Sequence, residues 1–360
     1  MAIPGRPDAA PSHRRLIELD VLRGLAALCV VLFHYSVRYP ELYGDTTAPA
    51  LVMTRGYLGV EFFFCISGFV IFMTLERTRR PMDFVVSRFS RLWPAYIAAI
   101  LITFSLVTMF GLPGRQTTPA EALVNLTMIQ ELFHVPHVDA AYWSLQVELI
   151  FYAWMLLAFV TGQLKRIRTF LWAALVPPIG FYIAHRYFSA DPSYLAGAFL
   201  LITYIPYFTI GIAAYNMYAR RDSGYQDLLL MLAAVLVAWI CLSATDGWLA
   251  LSAALILWAV ARGYLVYVAR GPFLFLGTIS YTLYLVHQNF GYIVIRSATQ
   301  HGISTNIAIL IAIALSICLA ATLTWLIEKP AQAWLRGLYK RLSGSVIPAH
   351  SLPAANQHKV

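Results

Sequence analysis

Ten stretches of about 20 mostly apolar residues recur along this 360-residue chain, and a bilayer core of roughly 30 Å takes about that length of helix to cross. They lie approximately over 19–38, 57–76, 89–111, 142–161, 169–187, 195–218, 228–244, 247–266, 273–296 and 304–327. With 60% hydrophobic and 12% charged residues, the chain has too few polar side chains for an ordinary soluble domain. The expected fold is all-α: a polytopic integral membrane protein of about ten transmembrane helices. The first 16 residues are polar, with Pro4, Pro11, Arg14 and Arg15, and no small-residue cleavage pattern follows the first span. That span is therefore expected to remain as an anchor. The predicted limits are an N-terminal tail over 1–18, a transmembrane domain over 19–335 and a C-terminal tail over 336–360. Cys29, Cys65, Cys241 and Cys318 all fall inside spans and read as small buried hydrophobes.

Ten spans put both termini on one side. Of the 26 Lys and Arg, 21 then share the terminal side, and only Arg38, Arg55, Arg115, Arg186 and Arg296 fall on the other. Such a bias makes the terminal side cytoplasmic. The expected location is the inner (plasma) membrane, multi-pass, with both tails in the cytoplasm. The net charge of +9 is thus spent on topology, and the lipid bilayer, not nucleic acid, is the expected partner. One loop exceeds what topology needs: "ERTRRPMDFVVSRFSRLWP", residues 76–94, carries five Arg. Arg88 and Arg91 are three apart and share one face of a helix. Guanidinium forks near a helix start suit phosphate oxygens. The plainer reading is contact with anionic lipid.

Ionisable side chains inside spans are expensive and mark function by default. At ~1.5 Å of rise per residue, His34 lies about 16 Å along its helix from Arg23, Glu148 about 9 Å below Tyr142, Glu61 about 6 Å in from Tyr57, and His287 about 22 Å from Pro272. All four are expected in the outer half of the membrane. Asp20, Arg23 and Glu328 form a second polar group at the cytoplasmic end. The structural alternatives are interhelical hydrogen-bonded staples for the four, and an Arg23–Asp20 or Arg23–Glu328 pair for the second group. His134 and Asp139 fit an H-x4-D pattern used by glycerolipid acyltransferases, but they lie on the side away from a cytosolic thioester. His134, His137 and Asp139 lack the helical i, i+4 spacing of a zincin site, so no metal is expected.

Six blocks in order resemble the membrane-bound acyltransferase-3 family, the O-antigen and exopolysaccharide O-acetylases. They are "LDVLRGLAALCVVLFH", "GYLGVEFFFCISGFVI", "FVVSRFSRLWPAY", "YWSLQVELIFY", "LGTISYTLYLVHQ" and "WLIEKPA". Together they run from Leu19 to Ala331. One departure is that Leu149 follows Glu148, where the family often has a second acid. The resemblance implies transfer of an acyl group, usually acetyl, from cytosolic acetyl-CoA or another acyl-CoA to a hydroxyl of a surface or secreted glycan or glycolipid. On that reading Arg88 and Arg91 hold the donor, and Asp20 and Arg23 anchor the donor end. His34 is the base, and Glu148 sets its tautomer. Glu61, His287 and Glu328 support the polar core. The alternative of another class is a proton-coupled transporter or flippase of a glycan or small anion.

Overall fold

The structure is a computed structural model that describes residues 16–44, 48–189, 193–219, 224–265 and 271–343. Every regular element among these residues is helical. The helices are α1 (Ile17–Phe33), α2 (Gly59–Glu76), α3 (Pro81–Phe110), α4 (Pro119–Asn125), α5 (Trp143–Val160), α6 (Ile167–Ala174), α7 (Val176–Phe188) and α8 (Tyr194–Phe199). Then follow α9 (Ile205–Ala219), α10 (Gly224–Val237), α11 (Ala244–Ala261), α12 (Pro272–Gln300), α13 (Thr305–Leu323) and α14 (Lys329–Ser343). Local sequence sets several boundaries. Pro81 opens α3, where its missing N–H costs nothing, and left-handed Gly111 closes it. Thr118 and Glu121 cap α4 reciprocally, and the Ser243 side chain accepts from the Asp246 N–H at the start of α11.

Seven helical stretches are long and apolar enough to cross a bilayer: 56–76, 81–110, 140–160, 163–188, 225–242, 244–261 and 305–343. The fold is that of a polytopic membrane protein, and seven stretches among the described residues meet this measure. The other three expected spans coincide with α1, α9 and α12. Helix α1 opens with Glu18, Asp20 and Arg23, and α9 has only 15 residues. Helix α12 carries His287, Gln288 and Asn289 in its middle, which dilutes its hydropathy. The predicted tails lie mostly outside the described residues. Residues 336–343, assigned above to the C-terminal tail, belong to the body: Arg336 is buried and donates to Ser90 Oγ at 3.1 Å, and Tyr339 donates to Asp83 at 2.9 Å.

In lipid, helices associate by close packing rather than by the hydrophobic effect, so small residues decide where they cross. Helix α1 packs along α12, α12 along α13, and α2 along α9. A Cβ on Gly24 would overlap the backbone of Leu276 and Gly277, and one on Gly277 would overlap Asp20. Their absence draws the starts of α1 and α12 together. Three helices widen into single π turns, at His34–Arg38, Ala238–Leu242 and Thr324–Glu328. Such turns often occur at functional sites, and the first begins on His34.

Candidate active site

His34 is half-buried where α1 passes into its π turn, and His287 is fully buried on α12. Their rings meet, with His287 Nε2 3.1 Å from His34 Nδ1. The surrounding hydrogen bonds assign both tautomers. His287 Nδ1 lies 2.8 Å from the Tyr284 carbonyl, which only accepts, so Nδ1 carries the hydrogen and Nε2 the lone pair. That lone pair faces His34 Nδ1, which also lies 2.9 Å from the Val30 carbonyl. His34 Nδ1 therefore donates, shared between two acceptors. The remaining nitrogen, His34 Nε2, keeps an uncommitted lone pair and is the atom equipped to take a proton. The notch that holds this pair is small. The Tyr35 ring fills the space left by Gly291, and its hydroxyl donates to the His287 carbonyl at 2.6 Å and meets Ser316 Oγ at 2.7 Å.

The loop before α5 is laced to α12 around His287. Asp139 is fully buried and accepts from the Ala141 and Asn289 N–H groups, both at 3.0 Å. Asn289 Nδ2 returns a bond to the Val138 carbonyl at 2.9 Å. The Tyr142 hydroxyl donates to the Leu285 carbonyl at 3.2 Å, and the Tyr284 hydroxyl to the Ala141 carbonyl at 2.8 Å. Asp139 is thus a cap and a clamp, not a partner of His134. His137 Nδ1 lies 2.7 Å from Gln130 Nε2 instead. No group of three His, Cys, Asp or Glu suited to a metal gathers among the described residues. The sequence reading set Asp139 aside, although an Asp just before a helix start is a capping signal it carries openly.

Glu148 does not meet His34. One oxygen, Oε1, accepts from Ser67 Oγ at 2.8 Å and from the Tyr152 hydroxyl at 2.5 Å. His287, not Glu148, sets the tautomer of His34. Glu148 instead lines a small cavity of about 70 Å³ between α1, α2, α3, α5 and α12. Arg23, Arg91 and Tyr152 stand at one part of its wall, and Ser144 and Tyr284 at another. Among the described residues, no hydrogen bond or close ion pair engages the Arg23 or Arg91 side chain. The Tyr284 ring lies 5.8 Å from that of His287, so the cavity wall touches the histidine pair.

Arg88 and Arg91 divide. Arg91 faces the cavity. Arg88 is buried, with one nitrogen 3.2 Å from Ser87 Oγ and Nε without a partner, in electrostatic reach of Tyr152, Arg91 and Glu148. Arg336 stands behind both, a residue the sequence reading placed in the tail. Asp20 lies in electrostatic reach of Arg23 and Arg91. Glu328 lies closest in this sense to Arg91 and Lys329 rather than Arg23. Glu61 lies in electrostatic reach of Tyr284, Asp246, Tyr204 and Cys65, with one oxygen buried and unpartnered among the described residues. The four residues placed at one depth thus separate into a histidine pair, a cavity acid and a second acid.

The site is thus a histidine pair beside a cavity lined by Arg23, Arg91 and Glu148 within a helical membrane bundle. The chain belongs to the acyltransferase-3 family, whose acyltransferase domain matches residues 16–325. It is 28% identical over 198 residues to a protein of Komagataeibacter xylinus provisionally named a membrane-bound transacylase, covering 51% of this chain and 47% of that one. It is 29% identical over 153 residues to an acyltransferase of Streptomyces mycarofaciens, covering 39% and 38%. It is 26% identical over 158 residues to a protein of Bacillus subtilis provisionally named a peptidoglycan O-acetyltransferase, covering 39% and 23%. The chain spans about half or less of the length of each of these three relatives. No solved structure matches it.

Proposed function

We propose that this protein is a membrane O-acyltransferase that moves an acyl group, acetyl in the first instance, from cytosolic acyl-CoA to a hydroxyl of a surface or secreted glycan or glycolipid. The observation that carries this reading is the uncommitted Nε2 of His34, held by His287 next to the arginine-edged cavity. The donor's phosphates suit Arg91, Arg23 and the buried Arg88 behind them, and its thioester then extends along the cavity toward Tyr284. An acceptor hydroxyl gives its proton to His34 Nε2 as its oxygen bonds to the acyl carbon. The carbon–sulfur bond breaks, and the proton passes to the leaving thiolate. A positioned base of this kind contributes on the order of 10²–10⁴-fold. The relatives' names support transacylation, and the acetyl group and glycan acceptor follow the Bacillus subtilis relative.

The direct test is purified protein in nanodiscs with acetyl-CoA and oligosaccharide acceptors. Free CoA and an acetylated saccharide should appear together in equal amounts. A transporter would consume no thioester, and that result would overturn the reading.

Orientation is a separate expectation. In a cysteine-free background, Cys at Gln116, an exposed loop position, should label in intact cells with an impermeant maleimide. Cys at Arg341, exposed on α14, should label only after permeabilisation. The reverse pattern would put the arginine-edged end on the side without acyl-CoA.

A further inference from the structure

The histidine pair has a second neighbourhood, on the side away from the arginine-edged cavity. The fully buried Tyr292 lies on α12 beyond His287, with its ring 6.5 Å from that of His34. Tyr39 and Tyr43 close around it, with ring separations of 5.0 Å to each other and 5.4 and 5.9 Å to Tyr292. Tyr39 and Tyr292 form a buried floor, and the half-buried Tyr43 stands at the rim. Two arginines stand at the same rim. The Arg115 guanidinium sits over the Tyr292 ring at 5.8 Å, and both Arg115 and Arg296 lie in electrostatic reach of the Tyr43 hydroxyl.

Among the described residues, neither arginine has a carboxylate within 4 Å. Arg296 has a terminal nitrogen that is buried without a hydrogen-bond partner. Arg115 meets the Tyr43 hydroxyl and the Tyr292 ring, and lies in electrostatic reach of buried Asp139. Among the described residues, the nearby acids are already committed. Glu41 pairs with Arg38 at 3.0 Å, Glu121 caps α4, and Asp139 accepts two backbone N–H groups. Buried Gln288 adds an oxygen without a partner on the same helix face as Tyr292, to whose hydroxyl it donates at 3.5 Å. A half-buried guanidinium with an unfilled N–H is costly unless an acceptor completes it, and an anion is the strongest one. The sequence sharpens the point. Only five Lys or Arg fall outside the basic side of the chain, and Arg38, Arg115 and Arg296 are three of them, gathered at one mouth.

Resting on the acyltransferase reading above, we propose that the acceptor is an anionic glycan, with a carboxylate or phosphate held by Arg115 and Arg296 while its reacting hydroxyl meets His34 Nε2. The distances allow it. Arg115 stands 5.8 Å from the Tyr292 ring and His34 6.5 Å from it, so the guanidinium and the imidazole are at most about 12 Å apart, the span of a short oligosaccharide. The half-buried Tyr43 ring supplies an apolar face for a sugar ring, backed by Tyr39 and Tyr292, and the arginines supply the charge that selects among sugars.

The test is binding, read apart from turnover. Nanodisc-held protein is titrated with an oligoglucuronate, with the same oligosaccharide after its carboxyls are reduced to alcohols, and with a glycosyl phosphate. At least one anionic saccharide should bind about tenfold or more tighter than the reduced one, as expected for a charge-assisted contact. The preference should shrink as salt is raised. Arg115→Gln and Arg296→Gln should each erase the preference and leave the weak binding of the reduced saccharide in place. Whether the carboxylate or the phosphate binds tighter identifies the source of the anion. His34→Gln should keep the preference, because the base is not the anion site. Equal binding of charged and reduced saccharides overturns the proposal, as does an equal loss of both in the arginine variants. A preference for the anionic saccharide without acyl transfer to it would instead sink the enzymatic reading and leave the anion site standing.

Discussion

His34→Gln protein should insert, fold and bind acetyl-CoA like the parent, yet transfer acyl groups about 10²–10⁴-fold more slowly. The expectation follows from the hydrogen bonds at the imidazole. His34 Nδ1 is spent on Val30 and His287, so Nε2 is the only ring atom free to accept a proton. Glutamine preserves size and hydrogen bonding but takes no proton near neutral pH. If the ring were only a staple between α1 and α12, Gln would restore most of the rate. Substantial transfer by a folded His34→Gln protein would therefore end its assignment as the base. His287→Gln is the companion variant. It removes the group that holds the tautomer but leaves the base, so the rate should fall by less than in His34→Gln. Single-turnover rates from preloaded donor read both effects without interference from product release.

How far the sequence reached is best judged from these same residues. Length and apolarity alone defined an all-helical membrane protein, because lipid admits little else. Among the described residues, α9 is too short and α12 too polar at its centre to meet both measures by themselves. His34 was legible because an imidazole interrupts an apolar run. Its partner was not, because His287 lies 253 positions away, and a contact between two helices depends on their crossing. Helix rise gives depth but not the direction a side chain faces. Glu148, whatever its depth, turns to Ser67 and Tyr152. The π turn at His34 leaves no pattern in composition, yet it changes which way the following residues point. Asp139 fits two motifs that do not apply to it, and its bond to the Asn289 N–H joins positions 150 apart.

Arg91→Ala should lower kcat/KM for acetyl-CoA by about 10- to 150-fold, the equivalent of ~1.5–3 kcal/mol for a lost charge-assisted contact, while leaving the KM for the acceptor unchanged. Arg91 lines the cavity that Glu148 and Tyr284 share, and no hydrogen bond or close ion pair among the described residues already satisfies it. A loss of activity alone would not separate donor binding from damage to the fold, since Glu328 and Asp20 stand close by. A donor without the nucleotide makes the separation. S-acetylpantetheine has the thioester and its arm but no phosphate on a nucleotide. The parent should use it poorly, and Arg91→Ala should use it nearly as well as the parent does. Two groups that touch lose the same interaction once, so the two removals should not add. Arg88→Ala extends the cycle one turn further back. Its guanidinium is buried with Nε unfilled, so it should show the same coupling only if the phosphates reach past Arg91. Full additivity at both positions would show that the arginines serve the bundle and its topology, and that the donor is held elsewhere.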